Sequence, residues 1–142
     1  MLVDDLKRVQ ADTFALYAKA HFYHWNIEGA DFVQYHEFLG EIYQANFDAV
    51  DQIAEFVRQL DAYAPGVNRM IADLAHVKLD DVIPEALEMF KRIDADNDTV
   101  MEGIVTAYMS AEAAGEIGLS NFLQDRIMYH KKLRWMLKSI TK

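Results

Sequence analysis

Apolar residues recur three and four positions apart along almost the whole chain, and only two prolines and six glycines interrupt them. That spacing is the period of one helix face, so the chain has to be built from long helices. Leu2, Leu6, Val9, Thr13, Leu16, Ala20, His24 and Ile27 form one stripe, which predicts a helix over about 2–28 with Gly29 at its C′ position. Phe14, Ala18, Phe22 and Trp25 form a second stripe on the same helix. A helix apolar on two faces needs a partner beyond its own bundle. Asp31 and Gln34 have the spacing of a capping box, opening a second helix through Phe32, Leu39, Phe47, Ile53 and Leu60 that ends near Tyr63-Ala64-Pro65-Gly66. Residues 67–83 read as a connector carrying a short amphipathic turn or two around 68–75. Pro84 suits the first turn of a third helix reaching about Ala114, Gly115 and Gly118 break it, and a last helix covers about 120–140.

Four long helices with one crossover long enough to span the end of a bundle predict an all-α, ferritin-like four-helix bundle with a short helix in the crossover. A chain of 142 residues can bury a core of its own, and one domain over 1–142 is expected. There is no cysteine, so any metal has to be held by His, Asp or Glu. The opening MLVDDLKRVQ lacks the basic cluster and apolar core of a secretory signal, and no apolar run reaches the length of a membrane span. A cytoplasmic protein without membrane partners is the expectation. A net charge of -9 argues against a large nucleic-acid footprint and mildly for attraction of cations.

Residues 24–36, HWNIEGADFVQYH, begin and end on histidine with the helix breaker between them. Helices on either side of a corner run antiparallel, so His24 and His36, equidistant from residue 30, should face each other, where two imidazoles could grip one cation. The alternative is two ordinary histidines at helix ends, each bonded to a neighbour. Asp51 and Glu55, at i and i+4 on the second helix, share a face next to the apolar stripe, where unpaired acids are costly unless a cation meets them. Asp51 lies about 22 Å along a straight helix from His36, at roughly 1.5 Å per residue. One chain cannot close a site over that distance. Two copies can: if the second helices pack antiparallel about a two-fold axis near Gln44 and Ala45, each His36 falls beside the partner's acids. The alternative for the acids is an exposed face with a Glu55–Arg58 pair.

Over nearly its whole length the sequence resembles Dps, the DNA-binding proteins from starved cells, a family of miniature ferritins. The resemblance rests on HWNIEGADFVQYHE at 24–37, DAVDQIAEFVRQL at 48–60 and YHKKLRWMLKSI at 129–140. In that family an H-W-N motif is followed twelve residues later by a second histidine, and then by a D-x-x-x-E pair. His24, His36, Asp51 and Glu55 stand at those positions. The resemblance implies a homo-oligomeric shell of twelve subunits built from two-fold dimers. Its inter-subunit sites would take iron as Fe(II), oxidise it preferentially with hydrogen peroxide, and pass Fe(III) to a mineral inside. It also implies that Trp25, beside the first ligand, can trap a stray oxidising equivalent; packing at a dimer interface is the alternative role.

Two departures from the family pattern bear on function. Many members carry an acid four residues after the second histidine, where this chain has Gly40, so the second iron position should be weaker or use Glu37, Glu41 or water, and Gly40→Asp should raise the rate. Members that condense DNA often carry a lysine-rich tail ahead of the first helix, whereas here the first basic residue is Lys7, so DNA binding through that end is not expected. The rival readings are a Dps-like structural or DNA-associated protein with a weakened oxidation site, and a dimeric four-helix adaptor without metal. Among the remaining candidates, His21, one turn before His24, is expected to be exposed, the alternative being a supporting partner of the first ligand; His76 lies in the crossover, and His130 is a packing or interface residue. No Glu has His three residues later, so the intrachain di-iron motif of larger ferritins is absent. Asp94, Asp96 and Asp98 read as a solvated face, and Glu116 and Asp125 are the acids nearest the start of the last helix.

Overall fold

The computed structural model describes residues 1–142. Its long helices are α1 (Leu2–Asn26), α2 (Phe32–Gln59), α4 (Ala86–Ala113) and α5 (Ile117–Ile140); a single turn, α3 (Val67–Arg69), lies in the crossover and runs directly into a wide π-helical turn, Met70–Leu74. There are no strands. α1 packs against both α2 and α4, and α4 against α5. The stripes read from the sequence meet in one core, where Leu6, Leu16, Tyr23, Leu39, Ile53, Phe90, Ile104 and Leu133 are fully buried.

The ends of the helices differ from the sequence reading in local chemistry. α1 stops two residues early because Ile27 is extended (φ −65°, ψ 145°), and Gly29, at φ +124°, turns the chain in a conformation that residues with a Cβ seldom adopt. Asp31 is the N-cap residue of α2 but makes no capping bond. At φ −102° and ψ 26° it is not in the extended conformation that aims an Asp side chain at the first free N–H groups. Pro84 stays outside α4, whose N-cap is the extended Glu85. Gly115 ends α4 at φ +70°, while Gly118, read as a second breaker, lies within the first turn of α5.

The crossover is tied to α1 by a buried carboxylate. Asp12 Oδ1 accepts from the backbone N–H groups of His76 (2.6 Å) and Val77 (2.9 Å), and Oδ2 accepts from Arg8 Nε (3.1 Å). The Gln10 amide donates to the Pro65 carbonyl at 3.1 Å. The bend at 76 and 77 would otherwise leave these N–H groups without partners.

Asp94, Asp96 and Asp98 are not a solvated face. Each meets a cation on another helix: Lys138 at 2.8 Å, Lys19 at 2.6 Å and Arg134 at 3.6 Å. The first two pairs are largely buried on their acidic side, and burial raises the Asp96 carboxyl despite Lys19. His130 is fully buried between α4 and α5. Its Nδ1 donates to Asn97 Oδ1 (2.6 Å), and its Nε2 accepts from Arg126 (3.2 Å), which also reaches Asn46 on α2. Burial, with the guanidinium alongside, holds the imidazole well below its usual pKa, so it stays neutral.

Candidate metal-binding site

The α1–α2 hairpin brings His24 and His36 face to face, with ring centroids 3.7 Å apart and planes inclined by 15°. The contact is reciprocal. His24 Nδ1 is 2.6 Å from the His36 carbonyl oxygen, and His36 Nδ1 is 2.7 Å from the His24 carbonyl oxygen. A carbonyl can only accept, so each Nδ1 carries the hydrogen, and in the neutral ring Nε2 is the nitrogen with the lone pair. A histidine whose Nδ1–H is fixed on a carbonyl is the usual form of a metal-ligating imidazole. The bond from His36 also gives a partner to the His24 carbonyl, one of the last carbonyls of α1, which have none within the helix.

Gly40, one turn along α2 from His36, lies directly under the His24 ring. A Cβ built there would stand 3.2 Å from His24 Cε1 and 3.4 Å from Nδ1. Beside this lies a cluster that the sequence reading missed. His21 is half-buried, stacked on Tyr43 (4.0 Å between centroids, 13°) and packed against Trp25 (4.0 Å), with its Nδ1 3.3 Å from the Tyr17 hydroxyl. Burial, then the neighbouring His24, lowers its pKa. Tyr17, His21 and Trp25 share the i+4 spacing of one helix face, which was the available signal; the part played by Tyr43 came from across the hairpin. Trp25 itself remains 63% exposed.

Asp51 and Glu55 lie exposed on the second half of α2. Neighbouring Asp51 raises the Glu55 carboxyl above its ordinary range, chiefly because a protonated Glu55 can donate to the Asp51 carboxylate and then because of the Asp51 charge. A proton or a cation relieves that repulsion. Arg58, the alternative partner for Glu55, instead donates to the Ala62 carbonyl (2.8 Å) and lies over the Tyr63 ring. Within one chain no three His, Asp or Glu side chains come together to hold a metal. The histidine pair, shared between α1 and α2, and the two acids of α2 thus stay apart within one chain. Phe47, 52% exposed, and Asp51 line a surface depression of about 620 Å3. No helix of the structure is long and apolar enough to cross a membrane.

Comparison with known proteins agrees with this architecture over its full length. The family model of the ferritin-like domain matches residues 3–142. The DNA protection during starvation protein of Helicobacter pylori is 28% identical, with 94% of each chain covered. Among solved structures, antigen TpF1 of Treponema pallidum superposes with a TM-score of 0.93 at 29% identity, covering 99% of this chain and 91% of that one. Helicobacter cinaedi CAIP superposes with a TM-score of 0.92 at 28% identity, and both chains are covered completely. The helical order, the long crossover and the full-length match together establish that the chain belongs to the ferritin-like domain family, in its Dps group of miniature ferritins.

Proposed function

We propose that the protein is an iron-oxidising and iron-storing cage whose oxidation sites lie between subunits, each formed by His24 and His36 of one chain with Asp51 and Glu55 of another. The observation that carries this reading is the reciprocal Nδ1 lock. It leaves two Nε2 lone pairs at the hairpin without an acid of their own chain, while two acids crowd each other farther along the same helix. A second α2 packed antiparallel about a two-fold axis joins the two halves twice, once at each end. The exposed Phe32, Val33 and Phe47 supply apolar surface for that packing.

Fe(II) is the substrate. Neutral imidazoles suit the ferrous ion and carboxylates favour the ferric product, so a mixed set accepts the one and releases the other inward. Two Fe(II) ions each give one electron to hydrogen peroxide, its O–O bond breaks, and with two protons the products are two Fe(III) and two water molecules. Paired delivery avoids the hydroxyl radical that one-electron reduction would release. Storage of the ferric product and protection from oxidative damage follow from that stoichiometry.

The test exploits the division of the site. His36→Ala and Asp51→Ala should each slow peroxide-driven Fe(II) oxidation strongly while the assembly, of about twelve subunits by light scattering, stays intact. In a dimer of one variant with the other, one site carries both defects and its twin carries neither. Randomly co-assembled cages should therefore regain part of the activity. Absence of recovery, with both variants assembled, would place all four residues of each site in one chain and overturn the proposal.

A further inference from the structure

We infer that Tyr17 is a one-electron donor to the oxidation site and that His21 holds its proton, so that a site containing a single Fe(II) still delivers two electrons to hydrogen peroxide. The role rests on the cage reading and deepens it. Two imidazoles and two carboxylates are few ligands for two iron ions, and Gly40, one turn from His36, offers no further oxygen. A lone Fe(II) at the histidines is therefore a frequent state. Such an ion gives peroxide one electron, and a hydroxyl radical leaves the site unless a second electron arrives at once.

A series of rings leads from the histidines to Tyr17. Tyr43 meets the His24 ring edge-on, with centroids 5.1 Å apart, and Tyr17 follows at 6.2 Å from Tyr43. Tyr17 is half-buried, with Phe14 and Phe47 beside it at 5.5 and 5.1 Å. Rings this close exchange an electron readily, so the proton decides where an oxidising equivalent rests. A phenol that has lost an electron is a strong acid, and its oxidation near neutral pH needs a base on the hydroxyl. Tyr17 has one: His21 Nδ1 is 3.3 Å from its hydroxyl oxygen, close to the reach of a general base. The His21 ring is held between Tyr43 and Trp25, 4.0 Å from each. Tyr43 lies nearly flat against this imidazole (13°), so it presents its ring face there and not its hydroxyl. Trp25, 63% exposed, is the watery end of the stack.

Fe(II) and Tyr17 each give peroxide one electron, the O–O bond breaks to leave two hydroxide ions, and the phenol proton moves to His21 Nδ1. Fe(III), a neutral Tyr17 phenoxyl radical and a protonated His21 remain. The next Fe(II) to arrive returns an electron to the phenoxyl oxygen while His21 returns the proton. Both side chains are then restored, and the sum is two Fe(II) oxidised per peroxide, as in a doubly filled site.

The experiment gives the assembled protein one Fe(II) per site, adds hydrogen peroxide and freezes the mixture at once for electron paramagnetic resonance, with hydroxylation of benzoate measuring the hydroxyl radical that escapes. The parent should show a phenoxyl signal that narrows when its tyrosines are ring-deuterated and vanishes on a second equivalent of Fe(II). Tyr17→Phe should lose most of that signal and release several-fold more hydroxyl radical. His21→Phe, which keeps a ring in the stack but removes the base, should do the same, while Trp25→Phe should retain the signal. In the iron-free protein, nitrogen-15 NMR of the neutral His21 ring should find the hydrogen on Nε2 and Nδ1 bare. A phenoxyl signal that survives Tyr17→Phe overturns the assignment, as does a radical on the indole, equal hydroxyl-radical release from parent and Tyr17→Phe, or a hydrogen on Nδ1. A parent that oxidises Fe(II) without any phenoxyl signal brings down this step alone. A parent that does not oxidise Fe(II) brings down the cage reading, and this step with it.

Discussion

Gly40 marks the difference between reading residue types and seeing their neighbours. As a sequence position it is a missing acid, and restoring one should help. In the structure it is the floor beneath the His24 imidazole, so any side chain there must move that ring by a few tenths of an ångström. Two effects then oppose each other: alanine is worth about 1 kcal/mol over glycine inside a helix, but the same methyl group disturbs the Nδ1 bond to the His36 carbonyl. Gly40→Ala should therefore slow peroxide-driven Fe(II) oxidation and stabilise the subunit by less than its propensity promises. Gly40→Asp should be faster than Gly40→Ala, because it suffers the same crowding but adds an anionic oxygen. Initial rates of the two variants beside the parent decide this, and an alanine variant as fast as the parent would remove the steric role. The facing of His24 and His36 was legible because antiparallel geometry fixes which residues lie level across a corner. The burial of His21 was not, since it depends on Tyr43 from the opposite helix.

At the level of elements, the long helices were legible from period alone, whereas their ends and cross-links were not, because those depend on single backbone angles and on partners distant in sequence. Asp12 stands next to Thr13 of the first stripe with nothing in the sequence to single it out, yet it is fully buried and anchors residues 76 and 77 more than sixty positions away. Removing it strands two N–H donors and the Arg8 guanidinium. Asp12→Ala should cost about 3 kcal/mol, seen as a lower urea midpoint and as faster proteolysis confined to the crossover. The pairs made by Asp94, Asp96 and Asp98 were missed for the same reason, their cations lying on other helices. His130 couples elements through its ionisation. Folding holds it neutral, with Nε2 accepting from Arg126, so a proton there would set N–H against N–H. The unfolded chain takes up that proton below about pH 6.5 and the folded one does not. Stability should be unaffected above that pH and fall below it, by up to about 1.4 kcal/mol per pH unit. His130→Gln should flatten this part of the profile, measured as urea midpoints between pH 4.5 and 7.5; an unchanged slope would show that other groups cause it.

Over the whole molecule, charge rather than shape sets which partners are tolerated. Fourteen basic residues face twenty-three acidic ones, and several of the cations are spent on ion pairs within the bundle. Electrostatic binding to duplex DNA needs several phosphate contacts at once, so the protein should not retard DNA in a gel at neutral pH and about 0.15 M salt. A clear shift would reveal a cationic surface created by assembly. The class of fold and the facing of His24 and His36 were legible in the sequence, while the reciprocal lock between the histidines was not, since it is made by backbone atoms that every residue shares. That lock bears on how the chain can diverge. Losing either ring leaves the other without its stacking surface and exposes the carbonyl that the lost ring had bonded, so a lineage that gives up one histidine gains nothing by keeping its mate. Positions 24 and 36 should be inherited as a single character, present together or lost together.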